Sequence, residues 1–139
     1  MARVQLALNV DDLDAAVDFY RKMFGTEPAK RRPGYANFAV ADPPLKLVLM
    51  ENPGRGGSLN HLGVEVATTQ AVRSEIERLR SEGLATAEEF GTACCYATQD
   101  KTWVTGPDDE SWEFYTVLGD ADVLCNVPDD AEAERGACC

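Results

Sequence analysis

Positive charge is scarce in this chain. Thirteen Lys and Arg stand against twenty-four Asp and Glu, leaving a net charge of -11 over 139 residues. A surface of that sign repels phosphate backbones and anionic headgroups, so neither nucleic acid nor a membrane surface is an expected partner. Long apolar runs are missing as well, which excludes a transmembrane helix. The opening residues MARVQLALNV lack the basic region, apolar stretch and small-residue cleavage site of a secretory signal. A cytoplasmic location is therefore expected, and in that reducing setting the five cysteines are expected mainly as free thiols. Their odd number leaves at least one that cannot pair within the chain. A chain of this length buries roughly two thirds of the surface its unfolded form exposes, enough for one domain without a disulfide scaffold.

What is present is pattern. RVQLALNV sets Val4, Leu6, Leu8 and Val10 on one side of a strand and Arg3, Gln5, Ala7 and Asn9 on the other, the period of a half-buried strand. DDLDAAVDFYRKMFG follows with Leu13, Ala16, Val17, Tyr20 and Phe24 at helical spacing, Asp11 or Asp12 to cap its start and Gly25 to end it. YANFAV and LKLVLME read as strands around the turn residues DPP, and ENPGRGGS reads as a linker. The order then begins again. NHLGVEV is a strand, TTQAVRSEIERLRSEG a helix with Val72, Ile76 and Leu79 on one face and Gly83 as its stop, and CCYATQ, KTWVTG and SWEFYTV are strand candidates.

Laid over each other at an offset of 56 residues, QLALNV and HLGVEV match Gln5 to His61, Leu6 to Leu62, Leu8 to Val64 and Val10 to Val66. Matching element order, position and face indicate a duplicated unit rather than a chance repeat of two common patterns. The predicted domain covers 1–118, with one module at 1–52, a linker at 53–58 and a second module at 59–118. From 119 to 139 the chain loses apolar periodicity and turns acidic and small, the composition of a flexible tail.

In each unit's first strand the face turned away from the helix carries a polar residue at the equivalent position, Gln5 in one and His61 in the other. Glu113 alternates with Trp112 and Phe114 and so projects opposite those rings. Singly, each has a duller reading: a wet-face amide, a satisfied core histidine, a surface carboxylate. Brought together by duplication, amide, imidazole and carboxylate suit a divalent transition metal with open coordination positions.

Cys94 and Cys95 are adjacent. A disulfide between them would close a strained ring and cross-link nothing. Packing is one alternative, since a free Cys is a small hydrophobe. Chelation is the other, because two thiolates prefer soft centres such as trivalent arsenic or cadmium over magnesium or calcium. Neighbours on a regular strand face opposite ways, so joint action requires a loop or bulge, which Gly91 in GTACC permits. Cys125, Cys138 and Cys139 lie in the acidic tail, readable as oxidisable thiols or as a scavenger feeding the pair.

The doubled unit, with RVQLALNV, NHLGVEV and GPDDESWEFYTV, resembles the vicinal oxygen chelate superfamily over roughly residues 3 to 118. That superfamily includes glyoxalase I, extradiol dioxygenases and bleomycin-resistance proteins. The resemblance implies an α+β fold of two βαβββ modules forming a cupped mixed sheet, with metal ligands at Gln5, His61 and Glu113. Gln5 departs from the histidine common in oxygen-using members. RPGYANFAVADPPLKLVLMENPG, LNHLGVEV and GTACCYATQDKTWVTGP look closely like the group of organoarsenical carbon-arsenic lyases and cadmium-induced proteins, whose hallmark is the vicinal thiol pair.

Membership of that group implies a non-haem Fe(II)-dependent dioxygenase, with dioxygen as co-substrate, that frees arsenite from a trivalent organoarsenical such as methylarsenite and so confers arsenic resistance. Cys94 and Cys95 would grip arsenic beside an iron held by Gln5, His61 and Glu113, all acting in catalysis except Gln5, a ligand only. Tyr96 and Lys101, in the same loop, would line the entrance or stabilise charge, with no step assigned to either. The alternative is a sequestration protein that binds cadmium or arsenite through its thiols. A cysteine nucleophile with His61 as base has no support near His61. Modules closing within one chain and modules exchanged in a homodimer bury the same faces, and the sequence leaves both open.

Overall fold

The computed structural model describes residues 2–124, so Cys125, Cys138 and Cys139 lie outside the described residues. The elements run β1 (Arg3–Val10), α1 (Leu13–Phe24), β2 (Lys30–Arg32), β3 (Tyr35–Val40) and β4 (Leu45–Glu51). They begin again with β5 (Leu59–Glu65), α2 (Thr69–Ser81), β6 (Ala87–Cys94), β7 (Ala97–Thr105) and β8 (Ser111–Asp120). Strand, helix and three strands thus occur twice, the α+β duplication expected from the sequence. The chain divides into two compact units, Arg3–Gly63 and the residues from Val64 onward.

In the first unit the strand order is β2-β3-β4-β1-β5. Asp12 caps α1 by accepting from the Ala15 amide, and Gly25 ends it with a φ of 65°, in the left-handed region a side chain disfavours. Leu6, Leu8 and Val10 of β1 meet Leu13 and Val17 of α1 and Phe38, Leu47 and Leu49 of the neighbouring strands in one apolar cluster. Each such side chain contributes about 1.5–3 kcal/mol on burial, so this row fixes which face of β1 meets the helix. The opposite row, Gln5, Ala7 and Asn9, is buried too. Parallel pairing with β4 places Gln5 beside Lys46, Ala7 beside Val48 and Asn9 beside Met50.

The Gly-rich segment between β4 and β5 is folded onto α1's start. Asp11 accepts hydrogen bonds from the Gly54 and Gly56 amides at 2.7 and 3.0 Å. At Gly56 a Cβ would fall 2.6 Å from that carboxylate, so glycine is required there by close approach.

In the second unit β6, β7 and β8 form antiparallel pairs, and α2, capped by Thr68, buries Val72, Ile76 and Leu79. Thr69 of α2 donates to Asp100 of β7 at 2.6 Å, and the other oxygen of Asp100 accepts from the Gly91 amide at 2.7 Å. One carboxylate thereby ties the helix start to β6. Asp100, Thr102 and Phe114 share the α2 side of the sheet by register, leaving Gln99, Lys101, Trp103, Glu113 and Tyr115 on the other.

Four elements differ from the sequence reading. The two strands expected at CCYATQ and KTWVTG are one turn and one long strand, β7, preceded by β6 over Ala87–Cys94. β6 is not legible in AEEFGTAC, which has no apolar alternation, nor β2 in three polar residues; both are held by backbone pairing to a neighbour. β8 continues through Asp120, beyond the strand read at SWEFYTV, because its backbone still pairs with the start of β7. Among the described residues no helix is long and apolar enough to cross a membrane.

Candidate active site

Gln5 and His61 come together as the duplication requires. They are 4% and 1% exposed, and Gln5 Nε2 lies 3.1 Å from His61 Nε2. The other ring nitrogen, Nδ1, lies 2.8 Å from Asn60 Oδ1. An amide that cannot donate through oxygen occupies the Nδ1 side, so the proton sits on Nδ1 and the Nε2 lone pair faces Gln5. That is the state in which imidazole binds a cation.

The thiols are brought together by backbone conformation. Cys94 ends β6 and pairs with Ala97, leaving Cys95 and Tyr96 as the two central residues of a hairpin turn with φ of 54° and 59°. Two consecutive left-handed residues define the type I′ hairpin, normally the province of Asn and Gly. Bulky residues there cost of order 1–3 kcal/mol each and mark functional positions. A register shift between Glu89 and Thr92, at Gly91 with φ 64°, turns the strand before the hairpin. The outcome is a separation of 3.7 Å between Cys94 Sγ and Cys95 Sγ, both buried. The turn is pinned from outside: Cys95 N donates to Leu124 O at 2.7 Å, and Ala121 N to Tyr96 O at 2.9 Å.

Cys94 is disulfide-bonded, and not to Cys95, given the distance between them. This corrects the expectation of free thiols for Cys94.

Glu113 is 2% exposed and forms a 2.9 Å ion pair with Lys101 Nζ, itself fully buried. Trp103 and Tyr115 present their rings to the same ammonium at 5.2 and 5.8 Å. Lys101 lies mid-strand in β7, on the same face of the sheet as Glu113 of β8. Gln99, two residues earlier on that face, donates through Nε2 to Cys94 O at 2.8 Å, while its buried Oε1 meets no hydrogen-bond partner among the described residues. An unmet buried acceptor costs about 1–3 kcal/mol and is a place where a ligand's donor would be welcome. Sequence reading missed Gln99, Asn60 and Asn9, since a lone amide on a strand carries no motif.

Among the described residues no three His, Cys, Asp or Glu side chains cluster as ligands; the third donor of the expected set is the amide of Gln5. An imidazole with its Nε2 lone pair exposed to a neighbouring donor, a buried carboxylate and an amide have the donor chemistry of a borderline divalent ion. The carboxylate has a second oxygen beyond the one facing Lys101. By donor chemistry these residue types suit such an ion.

A doubled βαβββ unit with a buried polar face belongs to a known class. The model of the Glyoxalase/Bleomycin resistance protein/Dioxygenase superfamily matches residues 3–114, and the chain belongs to that superfamily. Over the whole chain it is 62% identical to the cadmium-induced protein CadI of Mycobacterium tuberculosis, covering 93% of that protein. It is 59% identical to the trivalent organoarsenical cleaving enzyme of Thermomonospora curvata, covering 89% of it. Among solved structures, an extradiol ring-cleaving dioxygenase from B. fuscum aligns at a TM-score of 0.61 and 19% identity, over 86% of this chain and 34% of that one. Methylmalonyl-CoA epimerase from Mycobacterium tuberculosis aligns at 0.55 and 21%, over 81% and 85%. These two share the fold.

Proposed function

We propose that this chain cleaves the carbon-arsenic bond of trivalent organoarsenicals, converting methylarsenite to arsenite as a non-haem Fe(II)-dependent dioxygenase with dioxygen as co-substrate. The single observation that carries this reading is the 3.7 Å approach of the Cys94 and Cys95 sulfurs on a strained hairpin, a spacing at which both can bond one soft trivalent atom. The 59% identical relative named for organoarsenical cleavage supports the same substrate class.

In the reduced protein the two sulfurs hold arsenic and fix the direction of its carbon substituent, making the encounter effectively unimolecular. Gln5, His61 and Glu113 are the residues that would hold iron, which when bound supplies dioxygen binding and reduction. His61 offers Nε2, with its proton kept on Nδ1 by Asn60. Lys101 keeps a positive charge against Glu113, and Trp103 and Tyr115 flank that charge. Gln99 presents beside Cys94 an acceptor that has no partner among the described residues.

The test is anaerobic reconstitution with Fe(II), addition of oxygen and methylarsenite, and arsenite measured by speciation. His61→Ala is expected to abolish arsenite release while arsenic binding persists; turnover by metal-free protein would end this reading. A second reading, sequestration of cadmium or arsenite, draws on the ion pair that engages Glu113 and on the cadmium-induced relative. Its mark would be soft-metal binding that depends on Cys94 and Cys95 and is indifferent to His61 and Glu113.

A further inference from the structure

The segment joining the two repeats, read from sequence as a linker, ends in a directed chain of hydrogen bonds. Ser58 Oγ donates to the Arg55 carbonyl at 2.6 Å. A carbonyl only accepts, so the Ser58 hydroxyl proton is committed there and its oxygen must receive the next bond. It receives one from Asn9 Nδ2 at 2.9 Å. That fixes the Asn9 amide with Oδ1 turned the other way, where it accepts from Asn60 Nδ2 at 2.9 Å and Asn52 Nδ2 at 3.3 Å. Asn60 Oδ1 is thereby committed as the acceptor for His61 Nδ1 at 2.8 Å. The loop itself is clamped to β1 by Asn9 N to Ser58 O and Gly57 N to Asn9 O, both 2.9 Å.

We infer that the loop at residues 52–58, through Ser58, Asn9 and Asn60, sets the His61 tautomer and ring orientation, making Asn60 a positioning residue for divalent cation binding at Nε2. Every link from a backbone carbonyl to the imidazole has only one possible direction, so the proton on Nδ1 is dictated from the Arg55 carbonyl, six residues and three side chains away. Outer hydrogen bonds of this kind are worth about 10–100-fold in metal affinity. The inference rests on the reading of His61 as a ligand.

His61 is the sole histidine, so its two ring nitrogens give a single, unambiguous set of nitrogen NMR signals in metal-free protein. The wild type and Asn60→Asp, which keeps an acceptor at Nδ1, are expected to carry the proton on Nδ1. Asn60→Leu is expected to shift it towards Nε2, and to weaken Co(II) binding about 10–100-fold by optical titration with circular dichroism unchanged. Ser58→Ala, at a partly exposed position, should move the tautomer in the same direction by a smaller amount. An Nε2-protonated ring in the wild type, or an Asn60→Leu ring still protonated at Nδ1, would overturn the inference, and so would unweakened Co(II) binding by Asn60→Leu. A wild type that fails to bind Co(II) while its ring carries the proton on Nδ1 would instead remove the ligand reading and leave the relay standing.

Discussion

Lys101 is enclosed completely, with Glu113 at 2.9 Å and two aromatic rings as its other neighbours. Removing one member of a buried ion pair strands the other, at a cost of about 3–5 kcal/mol. Lys101→Met should therefore lower the denaturant midpoint of the apo protein substantially, whereas a divalent cation, taking the place of the missing charge beside Glu113, should restore more stability to this variant than to wild type. Chemical denaturation with and without Co(II) checks it, and equal gains in both proteins would argue against a cation at Glu113. Gln99 makes the opposite case. Among the described residues its Oε1 has no partner to lose and its Nε2 bonds Cys94 O, so the unfolding free energy of Gln99→Leu should stay within about 1 kcal/mol of wild type. Its affinity for methylarsenite should fall if that oxygen meets the bound ligand, as read by equilibrium dialysis.

The β6–β7 hairpin is the element that gives the thiols their joint character. Cys95 and Tyr96 hold left-handed backbone that Asn-Gly would adopt without strain. Replacing Cys95-Tyr96 by Asn-Gly should preserve or raise thermal stability while abolishing tight arsenic capture, since one sulfur is lost; a calorimetric scan beside an arsenic-binding isotherm separates the two effects. Gly91→Ala places a side chain at φ 64° and should cost about 1–2 kcal/mol, with arsenic affinity weakened because the bend before the hairpin shifts. The hairpin was half legible beforehand. GTACC announced a bulge or loop, and the bulge is there. The turn residues themselves were read as strand, because Cys and Tyr signal strand locally and only the backbone bonds from Ala121 and Leu124 and the pairing of Cys94 with Ala97 show the reversal. The helices were legible throughout, down to Asp12 and Gly25 as caps, since capping involves residues three or four apart.

For the molecule as a whole, arsenic capture by Cys94 and Cys95 requires both sulfurs in the reduced state. Protein purified without reductant is expected to bind methylarsenite poorly by equilibrium dialysis, and a thiol reductant should restore binding; full binding by the oxidised protein would mean that Cys94 is dispensable. Saturating a native-state metal site at a hundred times its dissociation constant adds about 2.7 kcal/mol of stability, so chelation should lower the melting temperature of metal-loaded protein reversibly.

The sequence by itself determined the duplicated order of strand and helix, the apolar row of each first strand, the polar identities at 5, 61 and 113, and the presence of two neighbouring thiols. All of these are set by periods of two and 3.6 residues or by caps within one turn, so the information lies among near neighbours. Tertiary structure alone decided that Lys101 answers Glu113, that an amide chain running back into the linker orients His61, and that the two sulfurs share one side of a reversed turn. Those outcomes depend on strand register and loop closure, which long-range burial imposes across dozens of residues and no short stretch encodes.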